Sequence, residues 1–115
     1  MNKTPKILIV DDEPFNVDYL EQELEDLNYE TISAANGQDA LEKIASESPD
    51  LVLLDIMMPI MDGLTVLQKV KADPAVRDIP IIVISANNDL KSVVKGIQLG
   101  AEDYLPKPFE PALLK

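Results

Sequence analysis

The stretch "LVLLDIMMPIMDG", residues 51–63, decides the fold. Leu51, Val52, Leu53 and Leu54 show no polar alternation, so the strand they form must be covered on both faces. Strands of that kind belong to parallel sheets clad by helices. Asp55 follows at once, then Met57, Met58 and Pro59. A carboxylate that ends a core strand has to be solvated, paired or bound to a cation, because burying it bare costs several kcal/mol. Why the strand stops on an aspartate is therefore a question about chemistry as much as about folding.

On either side of this stretch the chain alternates between the two periods. "ILIV", 7–10, is a second continuous apolar run and ends at Asp11 and Asp12. Pro14 suits the first turn of a helix, and Val17, Leu20, Leu24 and Leu27 recur at helical spacing after it. "YETISA", 29–34, alternates like an outer strand, and "ANG" turns the chain. "QDALEKIASES", 38–48, sets Ala40, Leu41, Ile44 and Ala45 on one helical face and must end before Pro49. A third helix carries Leu64, Leu67 and Val70, "DPAVRDIP" is a loop, and "IIVIS", 81–85, is another buried strand. Asn88 or Asp89 is expected to cap a helix holding Val93, Val94 and Ile97, which Gly100 stops. "DYL" is a short last strand, "PKP" a break, and "FEPALLK" the opening of a final helix. That helix is too short to cover a sheet face, so the expectation is a fragment of a longer natural chain. Five strand–helix alternations with short loops predict one α/β domain over residues 1–115: a doubly wound, five-stranded parallel sheet with helices on both faces.

Composition excludes several function classes. A formal charge of −11, from 21 acidic and 10 basic residues, argues against direct contact with nucleic acid or an anionic membrane. With no cysteine and no histidine, disulfides, zinc sites built on thiolate or imidazole, and a Ser-His-Asp triad are excluded. The lack of cysteine fits a cytoplasmic protein. No apolar run approaches the roughly 20 residues of a membrane helix.

In an open α/β sheet, functional groups gather at the carboxyl ends of the strands. Here the first strand delivers Asp11 and Asp12, the third Asp55, the fourth Ser85, and the fifth leads to Lys107. Singly, each has a bland reading: Asp12 as a helix cap, Asp55 as a turn cap, Lys107 as a surface lysine. Their convergence on one edge is the informative feature. Three carboxylates held together repel one another unless a counter-ion intervenes. A donor set of hard oxygens without nitrogen or sulfur favours Mg²⁺, with Mn²⁺ an alternative, and Mg²⁺ takes phosphate oxygens readily. A carboxylate can also serve as a nucleophile toward phosphorus, with a lysine and a hydroxyl neutralising the phosphoryl oxygens.

With "VDDE" after the first strand, "LLDIMMPIMDG" around the third, "ISA" after the fourth and "GAEDYLPKPF" near the end, the chain resembles the receiver domains of bacterial two-component response regulators. The resemblance implies the strand order 2-1-3-4-5 and a chemotaxis-regulator-like switch. It makes Asp55 the phosphoacceptor, Asp12 and Asp55 direct Mg²⁺ ligands, and Asp11 a ligand through water. Met57 would lend its backbone carbonyl to the metal. Ser85 and Lys107 would hold phosphoryl oxygens, and Tyr104 would follow Ser85 as the switch aromatic. The implied partners are a sensor histidine kinase or phosphotransfer protein, and a second copy through the side formed by the fourth helix, fifth strand and fifth helix. Such a domain catalyses only its own phosphorylation and dephosphorylation.

Three rivals share parts of this pattern. A magnesium phosphohydrolase of the haloacid-dehalogenase kind needs a second Asp two residues past the nucleophile, where this chain has Met57. A flavodoxin-like cofactor binder needs a Ser/Thr/Gly-rich loop after the first strand, where this chain has the acidic "DDEPFN". A receiver-like module without phosphorylation has no need of the full set Asp11, Asp12, Asp55, Ser85 and Lys107.

Overall fold

The computed structural model describes residues 4–55, 63–86 and 90–107. Its elements are β1 (Lys6–Val10), α1 (Pro14–Asp26), β2 (Glu30–Ala34), α2 (Gly37–Glu47), β3 (Leu51–Asp55), α3 (Gly63–Ala72), β4 (Ile81–Ala86), α4 (Leu90–Gln98) and β5 (Asp103–Lys107). The strands form one sheet in the order β2-β1-β3-β4-β5, and each of its four pairings is parallel.

Alternation along the strands divides the core between the two faces of the sheet. On one face Leu8, Val10, Val52, Leu54, Ile81 and Val83 pack with Ala40 and Ile44 of α2 and Val66, Leu67 and Val70 of α3. On the other face Ile7, Ile9, Leu53 and Ile84 meet Leu20 and Leu24 of α1. The continuous apolar runs 7–10 and 51–54 are thus central strands with both sides occupied. Outer strand β2 is less buried and contributes Ala34 and Ile32 to the first face.

Local chemistry sets the helix ends. Asn36 caps α2, its Oδ1 accepting from the backbone N–H of Asp39 at 2.9 Å. Gly100 ends α4 with φ at +114°, and the next amide, Ala101 N–H, reaches back to the Gly96 carbonyl at 3.0 Å. Asn28 and Ser48 take left-handed φ values of 69° and 47° just beyond α1 and α2.

Asp55 is the last residue of β3, so the third strand does end on the aspartate. One strand end differs from the sequence expectation. β5 continues past "DYL" through Pro106 to Lys107, so "PKP" does not break it there. A proline lacks a ladder donor, which is tolerated because β5 is the edge of the sheet. The expected cap at Asn88 or Asp89 and the final helix from Phe109 lie outside the described residues.

Candidate functional site

Parallel register brings the acidic residues together. Val10 pairs with Leu54 across β1 and β3, so the residues that follow, Asp11 and Asp55, stand level on neighbouring strands. Both are buried, at 1% and 2% exposure, whereas Asp12 is exposed. One carboxylate oxygen from each of Asp11, Asp12 and Asp55 lies within 4.8 Å of the other two.

Backbone contacts fix the arrangement. The Asp11 amide donates to the Ala34 carbonyl at 3.1 Å, which ties the end of β1 to the end of β2. The Glu13 amide donates to Asp11 Oδ1 at 2.9 Å, turning the chain into α1. The helix therefore starts at Pro14, with Glu13 in the N-cap position and no side-chain cap. Asp12 is not spent as a cap. Its exposed carboxylate is left at the rim of the cluster, open to solvent.

The remaining residues reach the same sheet edge by register. Asp55 pairs with Ile84, so Ser85 is the next residue along β4, itself opposite Pro106. Lys107 ends β5 opposite Ala86. From standard sheet spacings, its Cα lies about 12 Å from that of Asp55, two strands across and two residues along. Tyr104 pairs with Val83 nearer the middle of the sheet and is 43% exposed. Met57 lies outside the described residues.

Beside the cluster runs a groove of about 260 Å³ whose walls include Asp11, Asp12, Asp18, Glu21 and Val17. Burial, then the neighbouring charges of Asp18 and Glu25, raise the Glu21 carboxyl above its ordinary pKa. Phe15, at the start of α1, is 79% exposed. The apolar periodicity of α1 gives it no role. The available signal was its place off the Val17–Leu20–Leu24–Leu27 stripe, which leaves an aromatic on the outer side of the helix.

A hard, all-oxygen donor set at the carboxyl end of a parallel sheet fits an octahedral cation such as Mg²⁺. Imidazole and thiolate ligands are absent from the chain altogether.

Comparison with known proteins agrees with this geometry. The sequence matches the family described as the response regulator receiver domain over residues 7–115. It is 41% identical over 111 residues to the alkaline phosphatase synthesis transcriptional regulatory protein PhoP of Bacillus subtilis, covering 96% of this chain and 45% of that protein. It is 43% identical over 109 residues to the response regulator PleD of Caulobacter vibrioides, covering 95% of this chain and 24% of PleD. The chain thus spans less than half the length of these curated relatives. The fold superposes with a TM-score of 0.88 on the signal receiver domain of a signal transduction histidine kinase from Syntrophus aciditrophicus, at 34% identity over 96% of this chain and 84% of that one. The chain belongs to the response regulator receiver family, the phosphorylation-dependent switches of two-component signalling.

Proposed function

We propose that Asp55 is the phosphoacceptor of this receiver domain, and that Asp11 and Asp12 complete a Mg²⁺ site beside it. The observation that carries this reading is the grouping of three carboxylates within 4.8 Å, with Asp55 at the end of a buried strand. An Asp55 oxygen attacks the phosphorus of a phosphohistidine; the new O–P bond forms as the N–P bond breaks, and the imidazole leaves to take up a proton. Bound Mg²⁺ would supply positive charge against the phosphoryl oxygens. Asp12, exposed at the rim, is suited to direct ligation. Asp11, held through Oδ1 by the Glu13 amide, is suited to orienting a metal-bound water. Ser85 of β4 and Lys107 of β5 would supply the hydroxyl and ammonium for the phosphoryl oxygens, a reading supported by their register at the same sheet edge. Met57 would complete the metal shell through its carbonyl. The only chemistry assigned is self-phosphorylation and its hydrolysis.

The donor has to approach over the carboxyl edge of the sheet. Phe15 is exposed at the start of α1, the helix that also carries Asp18 and Glu21 of the acidic groove, which supports docking of a histidine kinase or phosphotransfer protein with a basic rim around an apolar patch. Val94 and Ile97 of α4, with Tyr104 of β5, are the other large hydrophobics exposed among the described residues. Their exposure on α4 and β5 supports that side as the surface that reports phosphorylation, by self-association or by contact with an output partner. No described helix is long and apolar enough to cross a membrane, which accords with a cytoplasmic switch.

The test is intact-mass spectrometry after incubation with acetyl phosphate. One added phosphate is expected with Mg²⁺, none after chelation, and none in Asp55→Asn. Equal labelling of Asp55→Asn would overturn the assignment.

A further inference from the structure

Asn36 is the one asparagine of this chain that precedes a glycine. Without a Cβ at Gly37, nothing hinders that residue's backbone nitrogen from approaching the Asn36 side-chain amide. In the capped state two contacts oppose this. Asn36 Oδ1 accepts from Asp39 N–H at 2.9 Å, and the Asn36 carbonyl accepts from Ala40 N–H at 3.0 Å. The backbone is also extended, with φ at −156° and ψ at 173°. A five-membered ring needs Cβ and the Gly37 nitrogen nearly eclipsed about the Cα–C bond, and this ψ keeps them staggered. Both hydrogen bonds belong to the first turn of α2, and opening that turn lifts buried Gly37 and Ala40 from their packing. Gly37, at the first helical position, has a backbone N–H with no acceptor inside the helix.

We infer that Asn36 is a site of spontaneous deamidation in the folded protein, gated by opening of the first turn of α2. The Gly37 nitrogen bonds to Asn36 Cγ, the Cγ–Nδ2 bond breaks, and ammonia leaves with the Gly37 proton. Water then opens the succinimide at either carbonyl to give aspartate or isoaspartate. The consequence reaches the functional edge. Asn36 lies two residues past Ala34, whose carbonyl holds the Asp11 amide, so each event adds a negative charge to a loop anchored on the acidic cluster. Isoaspartate also lengthens the main chain and cannot keep the N-cap geometry, whereas aspartate can.

The test is peptide mapping of the whole protein aged in mildly alkaline buffer over a series of urea concentrations below its unfolding transition. The peptide holding Asn36 is expected to gain about 1 Da, NH₂ exchanged for OH, and to become a substrate for isoaspartyl methylation. That gain should outpace those of the Asn16 and Asn28 peptides, stay flat with urea, and fall in Gly37→Ala. Aged wild type should melt lower than fresh Asn36→Asp, which has the added charge but keeps the cap. Asn36 reacting no faster than Asn16 and Asn28 would overturn the inference. So would a rate that climbs with urea in step with the unfolded fraction, since that places the reaction in the unfolded chain.

Discussion

Asp11 and Asp55 stand one residue beyond the Val10–Leu54 pair, level on adjacent parallel strands and both buried. The parallel ladder between β1 and β3 holds the two residues side by side. A divalent cation that binds this native arrangement and not the unfolded chain stabilises the domain by mass action.

Mg²⁺ should therefore raise the melting temperature, by the equivalent of about 2.7 kcal/mol at about 100 times its Kd. Asp12→Asn should lose most of this gain while melting no lower than wild type without metal, because Asp12 is exposed and makes no cap. Asp11→Ala should also melt lower without metal, since it removes the acceptor of the Glu13 amide. Thermal melts across Mg²⁺ concentrations check both. Identical behaviour of the two variants would contradict the division of roles.

Switching should separate from phosphorylation in three variants. Lys107→Ala, Ser85→Ala and Tyr104→Ala are each expected to bind a beryllofluoride phosphate mimic yet to shrink the amide chemical-shift changes along β4 and β5. An ammonium and a hydroxyl drawn to new phosphoryl oxygens would move the strand ends that carry them, and Tyr104 pairs with Val83 on the same two strands. Wild-type-sized changes in all three variants would count against the account.

Glu21 makes the pH dependence of stability testable. Its pKa is raised in the fold, so the folded state binds its proton more tightly than the unfolded chain. Its contribution is most favourable below the ordinary carboxylate pKa and is lost as pH rises through the raised value. Glu21→Gln should thus stabilise the domain at neutral pH by about 0.3–0.5 kcal/mol, the scale of a like-charge pair on a helix. In acid, where Glu21 is protonated, the difference should vanish. Denaturant titrations at both pH values read it directly.

Gly100 is constrained by both backbone and neighbours. Its φ of +114° is one that side-chain-bearing residues rarely adopt, and an added Cβ would sit 3.2 Å from the Lys71 Cγ and Cε. Gly100→Ala should cost about 1–2 kcal/mol. A loss near zero would mean that the turn after α4 rearranges freely.

Much of this was legible in the sequence because two periods and a few strand ends carried it. The apolar runs 7–10 and 51–54 are two of the three interior strands, and the acids that end them are the cluster. What remained hidden depended on neighbours that a linear reading does not supply. Pro106 looked like a break because proline removes a ladder donor, and only its position on the sheet edge makes it harmless. Asn36 looked like a plain turn residue, whereas the free Asp39 amide makes it the cap of α2. The exposure of Phe15 and the partial burial of Glu21 depend on how α1 lies on the sheet, and helical spacing gives only half of that.

The most direct measurement is the position of the phosphoryl group itself. Borohydride reduces an acyl phosphate to the alcohol, which turns a phosphorylated aspartate into homoserine at a residue that peptide sequencing can read. After phosphorylation with Mg²⁺, homoserine is predicted at position 55 and at neither Asp11 nor Asp12. Homoserine at position 11 or 12, or its appearance at 55 without any divalent cation, would contradict the account.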